Sequence, residues 1–475
     1  MIILVANQYV VQEVMYMLPD HITPLKALFD QNQTELRAQE NSRCHAKVRD
    51  GKLIDNCFFT RSGVFARVFC GGLFGASSNI YDEAGAKKAL QRAQRLAKEA
   101  DSRCRLGEAP IPTIESGMLE LDRPLQEMDQ AAHIDFAFQI DNYIATRYPN
   151  LAHREIRVRT QCTEKRLAVT NGWDAHTAIV RCYVDVDLEV QRTDGSAVNL
   201  GNYYGKGGYM SDVFSDPRWL YEGIDQLYRN LMDYREAQYV EAGYHDIILS
   251  PDLSGMLSHE AVGHTVEADG VLAGSIAGLR MGEQVASEKV TLMDYANEIP
   301  DGEAYCRMLV DDEGTRCRDL TIIKNGILTG LLHSRQTARN LGGEACGCVR
   351  GSYYYDEPMI RMRNTAIAPG TDTLEDMIAS IDDGYYLVGN ENGSGDTNAE
   401  FIIVSNLGYR IKNGKIAYPV RGTTISGQAF ELLKTVSMVG NKQGWRFGGM
   451  CGKKQRIETA TGGPAIKCKA NLAGK

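Results

Sequence analysis

The chain is predicted to be an α+β protein, and three observations predict it. Runs with a two-residue apolar/polar period dominate the first half. Two segments with a helical period interrupt them, and the second half is β-rich with Asn-Gly turns around a single motif helix.

Residues 52–78 alternate apolar and polar with glycine breaks and read as a strand meander. Residues 82–100 read as an amphipathic helix, with Leu90, Ala93, Leu96 and Ala97 on one stripe and Lys87, Lys88, Arg92, Arg95 and Lys98 outside it as a solvated face. Residues 105–125 carry Pro110, Pro112 and Pro124 and read as a linker. A helix is expected over 128–147. Strands follow at 155–159 and 177–190, the latter without an internal turn signal, in an antiparallel sheet with one wet face. Asp194-Gly195 marks a hairpin, 217–240 reads as helix and 246–249 as strand. Asn325-Gly326 and Asn413-Gly414 mark two further hairpins. The expected organisation is an N-terminal extension (1–32), an α/β subdomain (33–115), a central antiparallel region with helices (116–236) and a β-rich C-terminal domain (237–475).

Composition bounds the function. A chain of 475 residues with 43% hydrophobic and 24% charged residues can bury a large core. A net charge of −9 argues against nucleic-acid binding. No stretch of about 18 apolar residues occurs, so no membrane span is expected. The apolar start Met1-Ile2-Ile3-Leu4-Val5 lacks a basic flank and a cleavage site, and the twelve cysteines are scattered, which together predict a reduced, cytoplasmic protein.

The chemistry concentrates in His259-Glu260-Ala261-Val262-Gly263-His264. Two imidazoles around a glutamate supply neutral nitrogen ligands and a base for a metal-bound water. The spacing is unusual: on a regular helix, positions i and i+5 lie about 140° apart, against about 40° for i and i+4. If both histidines bind one ion, the helix must open, bulge or end between them, and Gly263 is a residue that tolerates such a break. Ser250 as N-cap and Pro251 at the first helical position place the helix start near 251. Candidates to complete the ligand set are Glu267 and Asp269 nearby, and His333, Cys346, Cys348 and Cys451 at a distance; spacing alone leaves these open. Asp311-Asp312-Glu313 reads as an acidic turn, and Arg361, Arg363 and Arg421 are candidates for structural ion pairs or for holding a peptide carboxylate.

These residues carry a resemblance. The histidine motif, Gly282-Glu283-Gln284-Val285-Ala286-Ser287, Asp311-Asp312-Glu313-Gly314-Thr315 and Lys324-Asn325-Gly326-Ile327-Leu328-Thr329-Gly330 resemble blocks of the TldD/PmbA family of zinc metallopeptidases. So do Pro358 to Thr365, Asn413-Gly414-Lys415-Ile416, Pro419-Val420-Arg421 and Met450-Cys451-Gly452-Lys453, in the family's order over roughly residues 240–470. A weaker match at Arg61-Ser62-Gly63-Val64 extends it back to about residue 35. The resemblance implies that His259, His264 and Cys451 hold one Zn2+ per chain and that Glu260 is the catalytic glutamate. It places the chain with the TldD-like branch, which keeps the motif. It also implies unfolded peptides or flexible segments as substrate, and a homodimer or a heterodimer with a PmbA/TldE-like paralogue. The Cys346-Gly347-Cys348-Val349-Arg350-Gly351 stretch departs from the family's Gly/Arg-rich block, and the first thirty or so residues match no block. Two other functions are compatible with these residues: a non-catalytic subunit supporting a partner chain, and a cysteine hydrolase built on Cys451.

Overall fold

The computed structural model describes residues 17–30, 32–104 and 111–474. Most of the expected N-terminal extension (1–16 and 31) and part of the expected linker (105–110) lie outside the described residues. The α+β class holds: two large sheets, each with helices packed against it.

The first sheet has seven strands. Its path runs Leu73–Asn79, Lys52–Cys70, Gln33–Arg49, His153–Val169, Trp173–Gln191, with Ala197–Gly207 also paired to the last of these. Strands from residues 33–79 and 117–207 therefore share one sheet, across the boundary expected at 115/116. The linker expectation needs correcting within 111–125, because Gly117–Leu119 adds a short parallel edge to Trp173–Gln191. The helical expectation at 217–240 is also trimmed: a 3-10 turn at Pro217–Leu220 leads into the helix Tyr221–Glu236, and Gln238–Tyr239 is already strand.

Alternation along these strands sorts the two faces. Leu36, Ala38 and Val48 face one way with Ile156, Val158, Val184 and Val186, and the helices Glu83–Cys104, Gln130–Arg147 and Tyr221–Glu236 pack on that side. The opposite face is polar, yet much of it is not wet. Glu35, Arg37, Arg67 and Lys165 are all at least nine-tenths buried because the Asp311-Asp312-Glu313 turn docks onto them. Arg37 pairs with Asp312, Lys165 Nζ reaches Asp312 Oδ1 at 2.7 Å, and Arg67 bridges Glu35 and Glu313 at 2.8 and 2.9 Å. Alternation reports which residues are apolar; it does not report what covers the polar ones.

The second sheet has eleven strands drawn from residues 238–473. At its centre Gln455–Ala473 pairs antiparallel with Gly243–Leu249, which pairs parallel with Asp383–Gly395. Met438–Lys453 folds back along Gln455–Ala473 as a hairpin. The Asn-Gly turns form as expected, with φ of 47° and 84° at Asn325 and Gly326 and 49° and 72° at Asn413 and Gly414. The largest hydrophobic cluster of the molecule lies against this sheet and includes Leu253, Leu257, Ala261 and Val262 of the motif segment.

The docked acidic turn yields a pH prediction. Burial, with Glu313 nearby and against the pull of Arg67, raises the Glu35 carboxyl to about 7. A carboxyl raised on folding binds more protons folded than unfolded, so its contribution is fully present below about 4.5 and is lost as pH rises through about 7. Glu35→Gln should flatten the fall in thermal stability between pH 5 and pH 7 relative to wild type. Parallel melting curves for the two proteins would refute the assignment.

Candidate metal centre

Ser250 caps the motif segment by accepting a hydrogen bond from the Leu253 amide, and Pro251 occupies the first turn. A regular helix runs only over Pro251–Met256. From Leu257 to Gly263 the backbone widens into a π-helix. This resolves the spacing problem, since i→i+5 hydrogen bonding stacks residues five apart. The His259 and His264 rings consequently sit 5.2 Å apart, centroid to centroid, at 79°.

Backbone packing holds the wide turn in place. A Cβ on Gly395 would lie 1.9 Å from the Glu260 carbonyl oxygen, so the Asp383–Gly395 strand runs directly over the motif. Gly255 packs on Gly462 of the last strand, where a Cβ would lie 2.8 Å from the Gly462 nitrogen. The expected widening occurs and ends at Gly263, although the Gly263 φ is not positive, and a Cβ there would lie 1.9 Å from Met362 Sδ.

Cys451 arrives from the terminal hairpin, almost two hundred residues away. One donor atom from each of His259, His264 and Cys451 lies within 4.8 Å of the others. The thiol sulfur is 3.4 Å from His264 Nε2, and Glu260 Oε2 is 3.7 Å from that same nitrogen. His264 Nδ1 faces Glu267 Oε2 at 3.2 Å, which directs Nε2 toward the cluster. Burial opposes ionisation of Cys451, but hydrogen bonds and charge from His259 and His264 outweigh it and bring the thiol down to about 4. Burial likewise opposes the His264 cation, while Cys451 and Glu267 raise it to about 10. Burial raises the Glu260 carboxyl, against the pull of both histidines.

The residues fit a zinc ion. Two imidazoles and a thiolate are its preferred donors, three ligands leave a fourth position open, and His259 Nδ1 is a buried nitrogen without a hydrogen-bond partner among the described residues. The other candidates are engaged elsewhere. Asp269 pairs with Lys453 at 2.8 Å, and Glu267 contacts His264 and Lys453. His333 bonds Thr337, and Cys346 and Cys348 both lie against the His333 carbonyl. Arg361 and Arg363 are fully buried: Arg361 donates to the carbonyls of Cys451, Lys453 and Gln455, and Arg363 pairs with Asp294 at 2.7 Å. Arg421 stacks on Tyr239. Arg361, singled out from the sequence for an ion pair or a peptide carboxylate, is instead a positioning residue that fixes the backbone carrying Cys451; Gly393 and Gly395 over Glu260 are positioning residues that the sequence did not reveal.

A two-sheet α+β fold carries a His/His/Cys cluster that could hold a metal ion, beside a half-buried glutamate. Residues 242–474 match the family model described as PmbA/TldA metallopeptidase C-terminal domain. A Saccharolobus solfataricus protein named zinc metalloprotease TldD homolog is 30% identical over 70% of this chain and 72% of its own length. A Methanothermobacter thermautotrophicus metalloprotease is 29% identical over 93% and 95%. The fold is similar to that of TldE from Thermococcus kodakarensis, with a TM-score of 0.69 at 18% identity, covering 94% and 97% of the two chains. The chain belongs to the TldD/PmbA family.

Backbone contact and side-chain contact should differ in consequence. Gly395→Ala drives a methyl into the Glu260 carbonyl and should cost about 1–3 kcal/mol. Gly263→Ala meets only the end of the Met362 side chain, which can rotate, and should cost less than half as much. Denaturant unfolding of both variants tests this, and equal losses would contradict it.

Proposed function

We propose that this chain is a zinc-dependent peptidase that cleaves unfolded peptides or flexible protein segments. The observation that carries the reading is the convergence of His259, His264 and Cys451 to within 4.8 Å with Glu260 alongside. The names of the Saccharolobus and Methanothermobacter relatives support it.

His259, His264 and Cys451 would hold the metal. Zinc bound there supplies Lewis acidity, which acidifies water and polarises a carbonyl. Glu260 acts as general base: its carboxylate accepts the proton of the attacking water and returns it to the departing amine. Its raised affinity for protons, a consequence of burial, suits that exchange. Glu267 fixes the His264 ring, and Arg361 fixes the Cys451 backbone. Between the bridge at Gly440 and the Cys451 carbonyl, which accepts from Arg361, the outer edge of Met438–Lys453 carries no paired strand among the described residues, so an extended segment laid along it would lead toward the centre. Equal cleavage rates for a compact protein and its unfolded form would refute that placement.

The Cys451–His264 contact also suits a second reading, a cysteine nucleophile. The burial of Cys451, 4% exposed, counts against it. We also propose pairing with a second chain of this fold, a copy or a paralogue, as the family resemblance implies. No described helix is long and apolar enough to cross a membrane.

Elemental analysis of protein purified under reductant should find about one zinc per chain, lost in His259→Ala. Glu260→Gln should keep its zinc and lose turnover of an unfolded peptide by about 10²–10⁴-fold. Wild-type processing by Glu260→Gln would favour a supporting subunit. Activity that resists chelators but dies on thiol alkylation would favour the cysteine hydrolase.

A further inference from the structure

The polar face of the first sheet is not filled everywhere by the acidic turn. Beside the turn lies a cleft of 250 Å³, between that face, the Arg350–Tyr353 segment and the far side of the terminal hairpin. Its charged lining is Arg43, Lys165, Arg181, Arg350 and Arg456, against one carboxylate, Glu458. Pairing accounts for part of this charge. Arg181 Nε lies 2.9 Å from Glu458 Oε2, and Lys165 shares Asp312 with Arg37.

Arg350, Arg43 and Arg456 have no carboxylate partner among the described residues. Arg350 is 3% exposed. Its Nη2 donates to the carbonyls of Met362 and Glu458 at 2.6 and 3.1 Å, and its Nε is buried without a partner. Burial, with Arg361 and Arg181 close by, presses its pKa down. Buried Arg363, by contrast, is matched by Asp294. Asp294 pulls the other way on Arg350 but is itself paired with Arg363, and a buried guanidinium without a carboxylate of its own is costly in a folded chain. In a protein of net charge −9, such a concentration of unmatched cations is a local feature that the overall charge does not produce.

We infer that this cleft binds a small molecule bearing a doubly charged anionic group, a phosphate or a pair of carboxylates, through Arg350, Arg43 and Arg456. The guanidinium forks match carboxylate and phosphate oxygens, and the cleft's volume suits a small molecule rather than a chain. The site is separate from the metal centre. Along the hairpin, Met450 lines the cleft while its neighbour Cys451 faces the histidines, as successive side chains of a strand must.

The test is calorimetric titration of the zinc-loaded full chain, in low salt at pH 8, with inorganic phosphate and separately with succinate. Saturable binding of phosphate alone assigns phosphate chemistry, of succinate alone dicarboxylate chemistry, and of both a site that reads charge. Arg350→Met should weaken binding about tenfold or more. Arg456→Gln, at an exposed position that does not threaten folding, should weaken it about threefold or more. His259→Ala should bind unchanged, which separates this cleft from the metal centre whatever the fate of the peptidase reading. The inference is overturned if neither anion binds wild type, if His259→Ala abolishes binding, or if Arg456→Gln and a folded Arg350→Met bind as wild type does.

Discussion

The candidate metal centre depends on a helical turn one residue wider than normal. A regular helix would turn His259 and His264 away from each other, and Cys451 would then meet only one of them. Such a turn has poorer intrinsic hydrogen-bonding geometry than an α-helix, so its surroundings must impose it. Here they do so through backbone. The Asp383–Gly395 strand presses on the Glu260 carbonyl, and Gly462 of the last strand presses on Gly255. Side-chain pairs finish the arrangement, with Glu267 on His264 and Lys453 between Glu267 and Asp269. The residues that bind and the residues that shape the turn are therefore different sets.

A second constraint joins the two sheets. The buried turn Asp311-Asp312-Glu313 inserts two carboxylates, Asp312 and Glu313, among Arg37, Arg67 and Lys165, while the Asp311 carboxylate accepts the amides of Glu313, Thr315 and Val349. Buried ion pairs of this kind add little net stability over apolar packing, but losing one partner strands the other, so they fix register firmly. That registration also sets the Arg350–Tyr353 segment and the terminal hairpin against the first sheet, since Gly351 N donates to Asp312 Oδ2 at 2.7 Å. The polar cleft is what remains where the two charged surfaces do not fully match.

Much of the local structure could be read directly. The amphipathic stripe over 82–100, the Asn-Gly hairpins and the Ser250-Pro251 helix start follow from interactions within a few residues, and each forms. The need for a break or bulge between the histidines was also legible, because it is a matter of helix geometry alone. The short strand Gly117–Leu119 was not, because its partner lies more than fifty residues on and proline content is the stronger local signal. The close approach of Met362 to Gly263 was not legible either, since it has no trace in the local pattern.

The sequence by itself determined the chemical kit: two imidazoles and a glutamate at a spacing that forbids a plain helix, within an α+β chain. Only the tertiary structure separated the candidate third ligands by position. It brought Cys451 to the histidines and left Cys346, Cys348 and His333 together elsewhere. It also turned a polar strand face from a wet surface into a buried, ion-paired interface. The physical reason is common to both. Local pattern encodes which side chains share a face, whereas what meets that face is set by strand pairing between residues hundreds apart.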